Sequence, residues 1–144
     1  MKVLVLQGPN LNLIGVKSSQ SGKRITLDKI NKAIRFEVRN TEVELKIFQT
    51  HKIYMAISFL QRNRNSASGV LLAPMAWAKY EYSLVDTLNL INLPTVQVIF
   101  EGDYAANVTE SDSVFSETVV KTVSHHDPTH AFISGLNSLK SYLS

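Results

Sequence analysis

The chain has 144 residues, 44% of them hydrophobic, with 15 Lys and Arg against 12 Asp and Glu, a formal net charge of +3 and no cysteine. That length supports one sizeable core and is short for two, so a single domain over 1–144 is expected, and the missing cysteines exclude a disulfide framework, a thiolate metal site and a catalytic thiol. No apolar run approaches the roughly 18 residues a membrane span needs, and MKVLVLQGPN reaches Gly-Pro too soon for a signal peptide, so the expectation is a cytoplasmic protein without a membrane partner.

In chain order, strand-length apolar runs alternate with stretches of helical period. KVLVLQ (2–7), VELKIF (43–48), GVLLAP (69–74) and TVQVIF (95–100) are rich in Val, Ile and Leu and mostly lack strict alternation, as parallel strands buried on both faces do. Leu27, Ile30, Ile34 and Val38 form one helical stripe capped by Thr26; Ile53, Ile57 and Leu60 form a second, and Tyr80, Leu84, Leu88 and Ile91 a third. A last helix begins with Asp127 as cap and Pro128 at its first position, and Phe132, Leu136, Leu139 and Leu143 share its face. This order is that of an open, doubly wound α/β sheet, with SETVVKTVS (116–124) able to add a fifth short strand.

Residues 101–120 break the alternation. Between Ile99 and Val120 lie five acids and no base, which leaves 15 bases against 7 acids elsewhere. The polar stretch reads as an acidic surface insertion, able to meet a protein partner, on a basic body. The bases are scattered, as on an ordinary solvated surface, and LQRNRN (60–65) has no aromatic platform beside it, so nucleic acid is an unlikely partner.

In a doubly wound sheet ligands bind beyond the carboxyl ends of the strands. The segments emerging there are GPNLNLIG (8–15), QTHK (49–52), PMAWAK (74–79) and FEGDY (100–104). Asn10 and Asn12 in the first can hold a tight turn or orient a ligand oxygen. The segment has neither the phosphate-loop order nor G-x-G-x-x-G. His126 and His130 are four apart, with His125 adjacent, but Asp127-Pro128 starts a helix between them, which speaks against a shared face, and no metal site is expected.

MKVLVLQGPNLNLIG, TLDKI, IFQT, LLAPMAWAKYEYSLVDTL, LPTVQVIF and FISGLNSLKSYL resemble the type II 3-dehydroquinate dehydratases from end to end, GPNLNLIG being the specific part. The resemblance implies a flavodoxin-like sheet of order 2-1-3-4-5, no metal or cofactor, and trimers assembled into dodecamers. It also implies an elimination of water through an enolate, in which a tyrosine removes the proton, an arginine lowers its pKa, and a histidine oriented by a carboxylate protonates the leaving hydroxyl.

The positions that match these groups have changed. Ser21 or Gly22 stands for the tyrosine, Lys17 for the arginine, Ile99 for the histidine and Gln97 for the carboxylate. In the loop after the third strand Ala73 replaces an asparagine, Met75 a glycine and Lys79 a substrate-gripping histidine, while Trp77 holds a place where an aromatic often packs. Glu101 sits where the ring carboxylate would be received. Pro9, Asn10, Pro74 and Asp86 stand in their expected places, Asp86 being the residue that in the family reaches a neighbouring subunit.

The expectation is therefore a catalytically degenerate relative with a structural, assembly or ligand-binding role on a retained oligomeric scaffold. The alternatives are an enzyme of changed chemistry, in which a desolvated Lys79 with His51, Lys52 and Tyr80 works at the old pocket, or residual dehydratase activity. Met75, Trp77, Tyr80 and Tyr82 are expected to supply the apolar contacts of the oligomer.

Overall fold

A computed structural model describes residues 1–144. The strands are β1 (Lys2–Gln7), β2 (Glu44–Gln49), β3 (Gly69–Ala73), β4 (Thr95–Phe100) and β5 (Lys121–His125); the helices are α1 (Ile14–Gln20), α2 (Leu27–Glu37), α3 (Ile53–Asn63), α4 (Tyr82–Ile91) and α5 (Pro128–Leu143). All neighbouring strands are parallel and the sheet order is β2-β1-β3-β4-β5, the flavodoxin-like arrangement.

The period-2 pleat divides the core in two. Val3 and Val5 of β1, Leu71 of β3 and Val96 and Val98 of β4 face Ile30 and Ile34 of α2 and Phe132 and Leu136 of α5. Leu4 and Leu6 of β1 and Val70 and Leu72 of β3 face Ala56 and Leu60 of α3 and Leu84 and Leu88 of α4. Burial on both faces explains the unbroken apolar runs of β1, β3 and β4. β2 is an edge strand and alternates, with Glu44 and Lys46 exposed, charges that discourage pairing with another sheet.

Helix ends follow local chemistry. Thr26 Oγ1 accepts the N–H of Lys29 at 3.2 Å, and Asp127 Oδ1 accepts that of Thr129 at 2.9 Å. α4 starts at Tyr82 and leaves Tyr80 in the preceding turn, exposed, so the expected third stripe loses its first member.

One element was not anticipated and one expectation is corrected. α1 starts inside GPNLNLIG and continues beyond it, because Leu11, Ile14 and Ser18 recur at helical spacing and are buried, and Ser18 Oγ accepts the N–H of Ile25 at 2.7 Å. The 101–120 segment is acidic on its surface but is not external to the core. Tyr104, Val108, Ser113 and Phe115 are buried, Phe115 packs with Leu84 and Leu88, and the N–H of Val114 bonds to the carbonyl of Ala78 at 2.8 Å. Of SETVVKTVS only the end becomes strand, since β5 begins at Lys121.

Candidate functional site

Gly8 joins the ends of β1 and β3. Its N–H donates to the Ala73 carbonyl at 2.8 Å, and a Cβ there would lie 2.3 Å from the Pro74 carbonyl oxygen, so only glycine lets the two loops meet. Asn10 follows in the left-handed region at φ 68°, a conformation that asparagine tolerates, and its side chain makes no capping bond. Asn12 is exposed, and its Oδ1 lies 3.5 Å from Gln49 Nε2, which also donates to the Gly8 carbonyl at 3.1 Å.

These turns form one side of a cleft of about 370 Å³, lined there by Pro9, Asn10, Leu13, Ile14, Val16, Lys17 and Gln20. The other side comes from Met75 and Ala76 after β3 and from Tyr104, Ala105 and Ala106 after β4. The 101–120 segment thus begins by walling the strand-end site with a tyrosine and two alanines. Met75 has φ 53°, a left-handed conformation that a glycine would adopt freely and a methionine does not. Lys17 is the one charged side chain on the lining. A second cavity of about 790 Å³ lies beside Ile99, Glu101, Glu110 and the hydroxyls of Thr109, Ser111, Ser116 and Ser124. Its charge is negative and nothing on its lining offsets it.

Gln97 is fully buried, donates through Nε2 to Thr122 Oγ1 at 3.0 Å and accepts through Oε1 from Ser113. Its amide is a structural clasp between β4, β5 and the 101–120 segment. Ile99 is buried, lining a nearly filled gap with Pro74, Ala78 and Val108. Ser21 and Gly22 are exposed in the turn that closes α1, where Ser21 Oγ donates to the Ser18 carbonyl at 3.0 Å.

The remaining sequence candidates do not gather at the cleft. Ala73 and Trp77 are buried in the two halves of the core. His51, Lys79, Asp86 and Glu101 are exposed, and of these only Glu101 lines a main cavity. A desolvated Lys79 is therefore not what the fold provides. In the loop that carries His51, the side-chain hydrogen bond runs from the Lys52 N–H to Thr50 Oγ1 at 3.0 Å. His125, His126 and His130 do meet, against the expectation from Asp127-Pro128, but as stacked rings with centroids 4.3 and 3.9 Å apart, and His125 Nδ1 accepts the N–H of Asp127.

Sequence reading placed Leu13 and Tyr104 in strand-end segments without singling them out, and missed Ala105, Ala106, Val16 and Gln20, which lie outside those segments. One signal was available: Tyr104, Val108 and Phe115 are large apolar residues in an otherwise polar stretch, and each is buried.

The family model described as dehydroquinase class II matches residues 1–139. The 3-dehydroquinate dehydratase of Clostridium acetobutylicum is 26% identical over 144 residues, covering 100% of this chain and 99% of its own, and that of Clostridium botulinum (strain 657 / Type Ba4) is 27% identical over 122 residues, covering 85% and 83%. Among solved structures, type II dehydroquinase from Butyrivibrio crossotus superposes with a TM-score of 0.83 at 19% identity over 97% of both chains. A 3-dehydroquinate dehydratase-like protein from Bifidobacterium longum gives 0.71 at 22% identity, over 100% of this chain and 98% of its own. With the β2-β1-β3-β4-β5 sheet and the GPNLNLIG turn at its strand ends, the chain belongs to the dehydroquinase class II family.

Proposed function

We propose that this protein is a catalytically degenerate member of its family, with a structural, assembly or ligand-binding role in place of dehydration. The observation that carries this reading is the state of β4: Gln97 is sealed between Thr122 and Ser113, and Ile99 is packed against Val108. Elimination of water next to a ketone needs a base for the proton and an acid for the leaving hydroxyl, each worth about 10²–10⁴ in rate. The positions matched to that base and that acid, Ser21 or Gly22 and Ile99, hold no side chain able to exchange a proton near neutral pH. Glu101 beside the old carboxylate position adds repulsion toward an acidic substrate. Incubation of the purified protein with 3-dehydroquinate should give no conversion above a heat-killed control. Saturable turnover would overturn the reading, and its loss in Lys79→Ala would establish the changed-chemistry alternative.

The proposed scaffold role includes self-association. On α4, Tyr82, Asp86 and Leu90 recur every four residues, and Tyr82 and Leu90 are 68% and 77% exposed. Two large apolar side chains left in solvent on either side of Asp86 support a contact surface there, with a polar group at its middle. Trp77, expected to contribute, is buried in the core, and Met75 is half-buried at the cleft, so the contact surface is Tyr80, Tyr82 and Leu90. No helix is long and apolar enough to cross a membrane.

A further inference from the structure

We propose that the cleft between α1 and the 75–76 and 104–106 turns binds a small, largely apolar molecule carrying one carboxylate, with Lys17 as its counter-ion; this rests on the reading that dehydration has been lost from the same site. The volume, about 370 Å³, is within the range of small-molecule sites.

The two sides of the cleft differ in chemistry. Met75, Ala76, Ala105 and Ala106 offer no side-chain donor or acceptor on theirs, and the one polar side-chain group there is the Tyr104 hydroxyl, buried without a hydrogen-bond partner. A polyhydroxylated ring placed there would give up water from several hydroxyls for at most that one side-chain partner, whereas an apolar ring loses nothing. Across from them Leu13 and Val16 are 53% and 59% exposed, apolar surface that an apolar guest would cover.

Charge selects the head group. Lys17 lies on the lining with no carboxylate within ion-pair distance, since the one ion pair of the molecule is Lys32 with Asp28 at 3.0 Å. Asn10 and Gln20, on the same side, make no side-chain hydrogen bond within the chain, so their amides are free to donate to a second oxygen. An ammonium with two amides on one side, and on the other a surface that is apolar except for the Tyr104 hydroxyl, describes an amphipathic anion. Met75 fits the same picture. A methionine held at φ 53° keeps backbone strain at the point where its side chain lines the cleft.

The test is NMR titration of the full chain with sodium benzoate, its neutral isostere benzamide, and quinate as a polyhydroxylated cyclic acid. Benzoate should shift the amide resonances of Val16, Met75 and Ala105 saturably, with quinate and benzamide each binding more weakly. In Lys17→Gln, an exposed substitution that leaves the core untouched, benzoate affinity should fall roughly three- to fivefold, as for a partly exposed ion pair, and benzamide affinity should not change. Quinate binding as well as benzoate, equal losses of both ligands in Lys17→Gln, shifts located elsewhere, or no saturable shift would each overturn the proposal. The 3-dehydroquinate assay separates the two readings. Turnover there refutes the loss of chemistry, whereas absence of turnover together with absence of benzoate binding refutes the ligand class alone.

Discussion

At Met75 two terms that normally act together are opposed. Its φ of 53° puts Cβ in a left-handed conformation that costs about 1 kcal/mol or more outside glycine, while its half-buried side chain packs against the α2–α5 half of the core. We expect Met75→Gly to be more stable than Met75→Ala by about 1 kcal/mol in urea unfolding, because both lose the side chain and only alanine keeps the strain. The usual order, alanine above glycine, would show that the turn relaxes. Gln97 gives a second expectation at this scale. In Gln97→Glu a carboxyl group replaces a buried amide, and burial raises its folded-state pKa above the unfolded value of about 4.3. The folded state then holds a proton that the unfolded state has released, so stability relative to the parent should fall as pH rises above about 4, by up to about 1.4 kcal/mol per pH unit until the folded pKa is passed. A flat difference between pH 4 and 8 would mean that water reaches the site.

Among the elements, the 101–120 segment is where charge and packing separate. Its acids are exposed and none is ion-paired, whereas Phe115 is fully buried among the residues that α4 covers. Phe115→Ala should cost about 3–5 kcal/mol. The triple substitution of Glu110, Asp112 and Glu117 by alanine should change stability by less than about 1 kcal/mol, both read from chemical denaturation. Deleting 103–117 would therefore not trim a surface excursion. It would remove Tyr104 from the cleft wall, Ser113 from Gln97 and Phe115 from the core, and the fold should be lost or severely weakened. The same polarity difference explains α1, a two-turn helix held by Leu11, Ile14 and Ser18 beneath a polar outer face.

For the whole molecule, surface electrostatics contribute little within one chain. The ion pair of Lys32 with Asp28 is an exposed i,i+4 contact worth about 0.3–0.5 kcal/mol. Exposed apolar area on α4 matters more for association. Light scattering in moderate salt should give a mass well above the 16.1 kDa of a monomer, and Tyr82→Ser with Leu90→Ser should shift it toward the monomer. Unfolding of the dissociated chain should be little altered, since neither side chain supports the core. A clean monomer for the parent protein would refute the assembly.

The parallel sheet, its four main strands and the four long helices were legible in the sequence, because burial on both faces writes unbroken Val, Ile and Leu runs and burial of one helix face writes a 3.6-residue stripe. The GPNLNLIG turn was legible as a family signature, whereas the need for glycine at Gly8 follows from its close approach to the Pro74 carbonyl. What stands around that turn was not. Lys17 reaches the cleft while His51, Lys79 and Asp86 do not, and Tyr104, Ala105 and Ala106 close it from a segment whose acids advertised only solvent. Periodicity reports which face of an element is buried, a local property of neighbouring residues. Which loops meet beyond the strand ends depends on how far each chain segment folds back over the sheet, and that is fixed by long-range contacts such as Phe115 beneath α4 and Ser113 on Gln97.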